Sequence, residues 1–261
     1  MSVNTHLTSL ASDLVLSANE KASITTSISN LESKVNAWFG NGVSTHFQFG
    51  SSMRGTILPR KADSNSDIDY MIVFNTQDGV KKPQTYLDRL RKFVEAKYPS
   101  SNIKQSHPTI VLSLNHINFE LVPAVYQFGY KIPSSASNWS DWIDTDPSGI
   151  NKALQDKNII ENYQIKPLVR LVKYWNAQNG HPFASFELEK YIIGMSFWMD
   201  TSLKDYFYTF WSNMSCTYDT AQYIKDKVER AKKYAKQAKE YEDSSMPYSA
   251  EDEIKKIVPK L

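Results

Sequence analysis

Residues 67–74, DIDYMIVF, constrain this chain more than any other stretch. Their β-branched and aromatic content predicts a buried strand, yet the strand opens with two aspartates. Side chains alternate across a strand. Asp67 and Asp69 therefore share a face, about 7 Å apart along the chain, while Ile68 turns into the core. Two like charges at that spacing repel unless something positive lies between them. A divalent cation meets that need, and Mg²⁺ favours a few carboxylates together with phosphate oxygens and water. Taken alone, an Asp-X-Asp more often ends a polar loop and pairs with an ordinary base, so its surroundings decide.

Those surroundings favour a nucleotide. Gly50-Ser51 follows a short predicted strand, STHFQF (44–49), and precedes one or two helical turns, SSMRGTIL, with Ser51 or Ser52 as the expected N-cap. A small residue at such a turn lets backbone N–H groups approach an anion, and the helix N-terminus adds a favourable dipole. The chain has no Walker A pattern and no Gly-x-Gly-x-x-Gly. Two-metal phosphoryl transfer needs a third acid. Glu120 in INFELVPAV (117–125) is the candidate, an acid in an otherwise apolar strand between core-facing Phe119 and Leu121. An exposed acid on an edge strand is the competing reading. Arg54, four residues after Gly50, suits either a phosphate or an ordinary ion pair.

Around these motifs the chain is legible as elements. Ile24, Ile28, Leu31, Val35 and Trp38 recur at helical spacing and predict one long helix over 6–39, stopped at Gly40-Asn41-Gly42. PQTYLDRLRKFVEAKYP (83–99) is an amphipathic helix bounded by prolines. TIVLSLN (109–115) and 117–125 form a hairpin, followed by a third segment at 126–132. The first half is thus a mixed α/β unit with a mostly antiparallel sheet. The polar stretch 133–148 is expected to be the hinge or lobe boundary. Helices are expected beyond it at about 147–158, 163–179, 185–200, 203–214, 219–242 and 248–258. The expected domains are 1–145, an N-terminal helix with an α/β core, and 146–261, helical.

Composition narrows the class. A chain of 261 residues can bury a sizeable core. Net charge +2 argues against a strongly basic nucleic-acid binder. The single cysteine, Cys216, excludes an internal disulfide or a cysteine zinc cluster and fits a reducing, cytoplasmic setting. The N-terminus lacks the pattern of a signal peptide, and no apolar run approaches a membrane span, so no membrane partner is expected. His46, His107, His116 and His181 have no metal-ligand spacing. The charged segment KDKVERAKKYAKQAKEYED predicts a solvated helix face.

Gly50-Ser51, Asp67-Ile68-Asp69 and Glu120-Leu121-Val122-Pro123-Ala124 together resemble the GS…DxD…(D/E)hhPA pattern of the DNA polymerase beta-like nucleotidyltransferases. KPLVRLVKYWNAQNG (166–180) followed by FASFELEKYIIG (183–194) resembles the helical half of the oligoadenylate synthetase and cyclic GMP-AMP synthase branch. Bacterial cyclic-oligonucleotide synthases of antiphage signalling belong to that branch. The resemblance covers about residues 45–200. It implies an α+β, bilobed nucleotidyltransferase fold, with a small mixed sheet and flanking helices against a C-terminal helical bundle, bridged by the long N-terminal helix. It also implies two Mg²⁺ (or Mn²⁺) ions on Asp67, Asp69 and Glu120. Gly50-Ser51, Lys173 and Ser185 would contact phosphates, Phe186 would stack on the donor base, and Glu189 would be structural. Trp175 and Leu171 are assigned to the core. The third acid is Glu where Asp is common in the branch, and the chain is short for it.

The implied activity joins nucleoside triphosphates (ATP, GTP or pyrimidine nucleotides), bound in a cleft between the lobes, into a cyclic or short linear oligonucleotide with loss of pyrophosphate. The product, rather than the protein, would engage a downstream effector. Rival readings are nucleotide addition to tRNA, AMP transfer to a protein, and an inactive scaffold. Activation by duplex RNA has only the Lys-rich helix 225–239 in its favour.

Overall fold

The computed structural model describes residues 2–106, 108–134 and 141–261. The chain forms two compact units, residues 17–60 with 65–151, and residues 1–16 with 61–64 and 152–261. The expected helix 6–39 is two helices, α1 (Val3–Asp13) and α2 (Ala18–Phe39). Ser17 causes the break. Its hydroxyl accepts the Glu20 N–H while the Glu20 carboxylate accepts the Ser17 N–H, a reciprocal cap that starts a new helix. α1 belongs with the later helices and α2 with the sheet, so this N-terminal segment contributes to both units.

The α/β unit holds β1 (Val43–Gln48), α3 (Gly50–Arg54), β2 (Asp67–Phe74), α4 (Pro83–Lys97), β3 (Asn102–Ser106), β4 (Thr109–Ser113), β5 (Asn118–Tyr126), β6 (Tyr130–Pro133) and β7 (Trp142–Thr145). Strand order is β1-β2-β5-β4-β3, with β6 and β7 continuing from β5. The architecture is α+β with a small mixed sheet and flanking helices. β4 and β5 form the expected hairpin. The sheet is less antiparallel than expected at its centre, because β2 and β5 run parallel. β3 and β7 were not expected as strands. β7 lies inside the stretch read as a hinge, where Trp142 packs on Tyr86 at 5.5 Å and Asp144 pairs with Lys131. Residues 135–140 of that stretch, and His107, lie outside the described residues.

One face of β2 packs on helices. Ile68, Tyr70, Ile72 and Phe74 are buried there with Phe119 and Leu121 of β5 and with Tyr86, Leu90 and Phe93 of α4. Phe39 at the end of α2 lies 5.3 Å from both Phe74 and Phe93. Tyr70 is anchored on this side, its hydroxyl 2.6 Å from His46 Nδ1, and His46 Nε2 lies 2.8 Å from Asn36 Oδ1. Burial holds the imidazole pKa below its ordinary value and the Tyr70 phenol above its own. His46 is therefore a hydrogen-bonded structural histidine. His116 is another, 3.0 Å from Ser27 Oγ.

The helical unit contains α1, most of α5 (Pro147–Ile160), α6 (Ile165–Gln178), α7 (Ser185–Gly194), α8 (Leu203–Asn213), α9 (Gln222–Asp243) and α10 (Pro247–Ile257). α1 packs on α6, α8 and α10 through buried Val3, Leu7 and Leu10. Each such side chain contributes about 1.5–3 kcal/mol by leaving water. This burial, rather than chain order, decides which unit α1 joins. The expected helix 185–200 stops at Gly194. Leu171 and Trp175 are buried, the indole of Trp175 edge-on to Trp211 at 4.8 Å. Among the described residues, no helix is long and apolar enough to cross a membrane.

Candidate active site

The second face of β2 begins polar and ends apolar. Asp67 and Asp69 are half-buried, whereas Met71 and Val73 join Ala124 in a small core with Phe47, Phe49, Tyr130 and Ile132. The carboxylates thus occupy only the first turn of the pleat. Parallel register sets Asp67 opposite Asn118 and Asp69 opposite Glu120. Registered neighbours point the same way, so Asp69 and Glu120 stand side by side on one face. Burial first, and then the charge of Asp69, raise the pKa of the Glu120 carboxyl. The row continues through Val111 of β4 to exposed Lys104 of β3, whose charge partly offsets that rise. Lys104 escaped the sequence reading. Its only signal is the alternation in the short segment NIKQS.

Gly50 closes the other side of Asp69. Phe49 N–H donates to the Asp69 carbonyl at 3.0 Å, bringing the start of α3 against β2. Gly50 has φ +72°, and a Cβ there would lie 2.9 Å from Asp69 Cβ and overlap the carboxylate. Only glycine satisfies both conditions. The helix is capped by Phe49 rather than by Ser51 or Ser52, as the sequence predicted, because the helical turn already begins at Gly50. The two serines differ. Ser52 Oγ accepts from Gln48 Nε2 at 2.7 Å and lies 3.1 Å from the Phe49 carbonyl. Ser51 Oγ has no such partner among the described residues, and its backbone carbonyl accepts from Thr56 and Ile57. Arg54 is buried at the end of α3 and donates to Asn151 Oδ1 at 3.4 Å.

The structure therefore brings together Gly50, Ser51, Asp67, Asp69 and Glu120 in the α/β unit. Lys173, Ser185 and Phe186 belong to the helical unit. Lys173 lies on α6, almost fully buried, with Nζ 3.4 Å from Oε1 of equally buried Glu189 on α7. Ser185 is the first residue of α7, whose N-terminus has no side-chain cap. Phe186 is 46% exposed, with Lys190 Nζ 5.4 Å from its ring centre.

Among the described residues, no group of three His, Cys, Asp or Glu side chains stands in ready-made metal-binding geometry. The donor set nevertheless suits a hard divalent cation. It is all carboxylate oxygen, on one face, with the pKa of Glu120 raised by burial and by its neighbour's charge. A glycine-led helical turn abutting paired acids on adjacent strands is an arrangement that suits a nucleotidyltransferase.

Comparison with known proteins places the chain within that class. Residues 1–158 match the model of the Second Messenger Oligonucleotide or Dinucleotide Synthetase domain, and the chain belongs to this family. Enzymes of the family generally use divalent metal ions. Comparison with curated proteins finds no match. Among solved structures, CdnC of E. coli MS115-1 with ATP is similar over 100% of this chain and 98% of its own, at 15% identity and TM-score 0.72. CdnE cyclic dinucleotide synthase of Elizabethkingia meningoseptica, with GTP and Apcpp, is similar over 80% and 82%, at 16% identity and TM-score 0.64. The DncV cyclic AMP-GMP synthase of Vibrio cholerae, with the linear intermediate 5′ pppA(3′,5′)pG, is similar over 74% and 63%, at 13% identity and TM-score 0.59.

Proposed function

We propose that this nucleotidyltransferase joins nucleoside triphosphates into a cyclic or short linear oligonucleotide messenger, with loss of pyrophosphate, in bacterial antiphage signalling. The observation that supports it most directly is the Asp69–Glu120 pair set against Gly50 in a chain of this family. ATP and GTP are the proposed substrates, since similar enzymes were solved with them.

Asp67, Asp69 and Glu120 would hold two Mg²⁺ or Mn²⁺ ions, which when bound neutralise triphosphate charge and acidify the attacking hydroxyl. Gly50 and Ser51 offer backbone N–H groups and a hydroxyl to the triphosphate. Glu120, with its raised pKa, is suited to take the proton of an acceptor ribose hydroxyl as it attacks the α-phosphorus. Ser185 and the ammonium of Lys173 are assigned to phosphate contact, and the exposed ring of Phe186 to base stacking. Catalysis on this scheme is mainly positioning and charge neutralisation.

The test is mass spectrometry of products from each pair of nucleoside triphosphates with Mg²⁺ or Mn²⁺. Oligonucleotides and pyrophosphate are expected without a macromolecular acceptor. Asp67→Asn with Asp69→Asn should abolish release while leaving the fold intact. Unchanged release in that double variant would falsify the assignment.

A further inference from the structure

The polar loop between the phosphate turn and the metal strand has its own attachment. Residues 61–64 group with the helical unit, although Arg60 before them and Asn65 after them belong to the α/β unit. Within this loop Ala62 is buried, and the Asp63 side chain is only 11% exposed. Asp63 Oδ1 lies 3.3 Å from Nε2 of His181. His181 sits in the turn between α6, which carries Lys173, and α7, which opens with Ser185 and Phe186.

That turn is held in an unfavourable conformation. His181 has φ +54°, in the left-handed region, and is followed by Pro182, which further restricts it. Gly180 before it also has positive φ, +77°. Buried Asn176 grips the far side. Its Nδ2 donates to the Phe183 carbonyl at 2.8 Å, its Oδ1 accepts the Phe183 N–H at 3.1 Å, and its own carbonyl accepts the His181 N–H at 2.8 Å. Glycine or asparagine would occupy position 181 with less strain. His181 takes up this conformation with its ring at an almost buried carboxylate, which points to a task for the imidazole. A neutral ring protonated at Nε2 suffices to make the contact.

We propose that Asp63 and His181 are positioning residues, a latch fixing the loop that links Gly50-Ser51 to Asp67-Asp69 onto the turn that links Lys173 to Ser185-Phe186. The catalytic part of this inference rests on the nucleotidyltransferase reading above. The mechanical part does not. Loop 61–64 is covalently continuous with the phosphate turn on one side and the metal strand on the other. Its attachment to the α6–α7 turn restrains the loop that joins them. The latch joins two connecting segments, so its loss should weaken nucleotide affinity more than turnover.

Two measurements on the full chain test this. Hydrogen exchange should rise about tenfold in the amides of 60–66 in His181→Gly and in His181→Asn, both of which tolerate the left-handed backbone. Unchanged exchange there overturns the latch, whatever the enzyme makes. In pyrophosphate-release assays, KM for nucleoside triphosphate should rise about five- to twenty-fold in His181→Asn and in Asp63→Ala, with kcat within about twofold. The double variant should be no worse than either single one. Additive losses, or a fall confined to kcat, would overturn it. A wild-type enzyme that releases no pyrophosphate would remove the nucleotidyltransferase reading instead, and the exchange result would still decide the latch.

Discussion

Asp69 of β2 and Glu120 of β5 are registered partners across a parallel strand pair, two acids side by side on one face of the sheet. Burial and the charge of Asp69 together raise the Glu120 pKa, and Lys104 offsets only part of that rise. Glu120→Gln should therefore raise the Tm of the metal-free protein by roughly 2–4 °C, the shift that about 1 kcal/mol makes in a chain of this size. The same change should cut pyrophosphate release at least about a hundredfold. A variant both less stable and fully active would contradict the site.

The pH dependence follows in sign. A carboxyl whose pKa is higher folded than unfolded stabilises the fold most below its unfolded value, near the ordinary 4.5 of Glu. That contribution is lost as pH rises through the folded pKa. Mg²⁺ affinity runs oppositely, because the ion must displace the proton. In calorimetry, the midpoint Mg²⁺ concentration should fall as pH rises from just above 4.5, and Glu120→Gln should flatten the dependence.

Gly50→Ala places a methyl group into the Asp69 carboxylate at a backbone φ of +72°. A loss of about 1–3 kcal/mol in denaturant unfolding and a strong loss of activity are expected. Gly55→Ala, also at φ +72° but with open space around it, should share the backbone strain and keep most of the activity.

Lys173 and Glu189 form a buried pair at 3.4 Å. Lys173→Met or Glu189→Gln alone should each cost about 3 kcal/mol, because one buried charge loses this partner, and the double change should cost less than the sum. If Lys173 also serves the triphosphate, Glu189→Gln will retain measurable nucleotide binding where Lys173→Met does not. Fluorescence titration with an ATP analogue reads the difference.

Phe186 is exposed on the first turn of α7, so Phe186→Ala should change stability by less than about 0.5 kcal/mol. As a base-stacking platform it should instead lose about 1–3 kcal/mol of nucleotide binding, largely restored in Phe186→Tyr. Equal KM values in all three proteins would remove the stacking role.

Local pattern determined much of this protein. DIDYMIVF is β2 at the predicted residues, the 109–125 hairpin forms, and Gly50-Ser51 opens a helix beside the acids. These features depend on alternation, turn chemistry and glycine's backbone freedom, all of which act over a few residues. Other features depended on partners distant in sequence. Nothing in residues 117–125 shows that β5 runs parallel to β2, yet that register is what sets Glu120 beside Asp69. The N-terminal stretch has helical periodicity throughout, and the Ser17–Glu20 cap, a local signal, divides it. Burial of Val3, Leu7 and Leu10 then assigns its first part to the helical unit. Loop 59–66 has the composition of a plain connector, because an Asp-His contact across more than a hundred residues leaves no local signature. The sequence by itself named the candidate residues for metal and phosphate. Only the tertiary structure set Glu120 on the face that Asp67 and Asp69 share, since strand order and register are set by packing of the whole sheet.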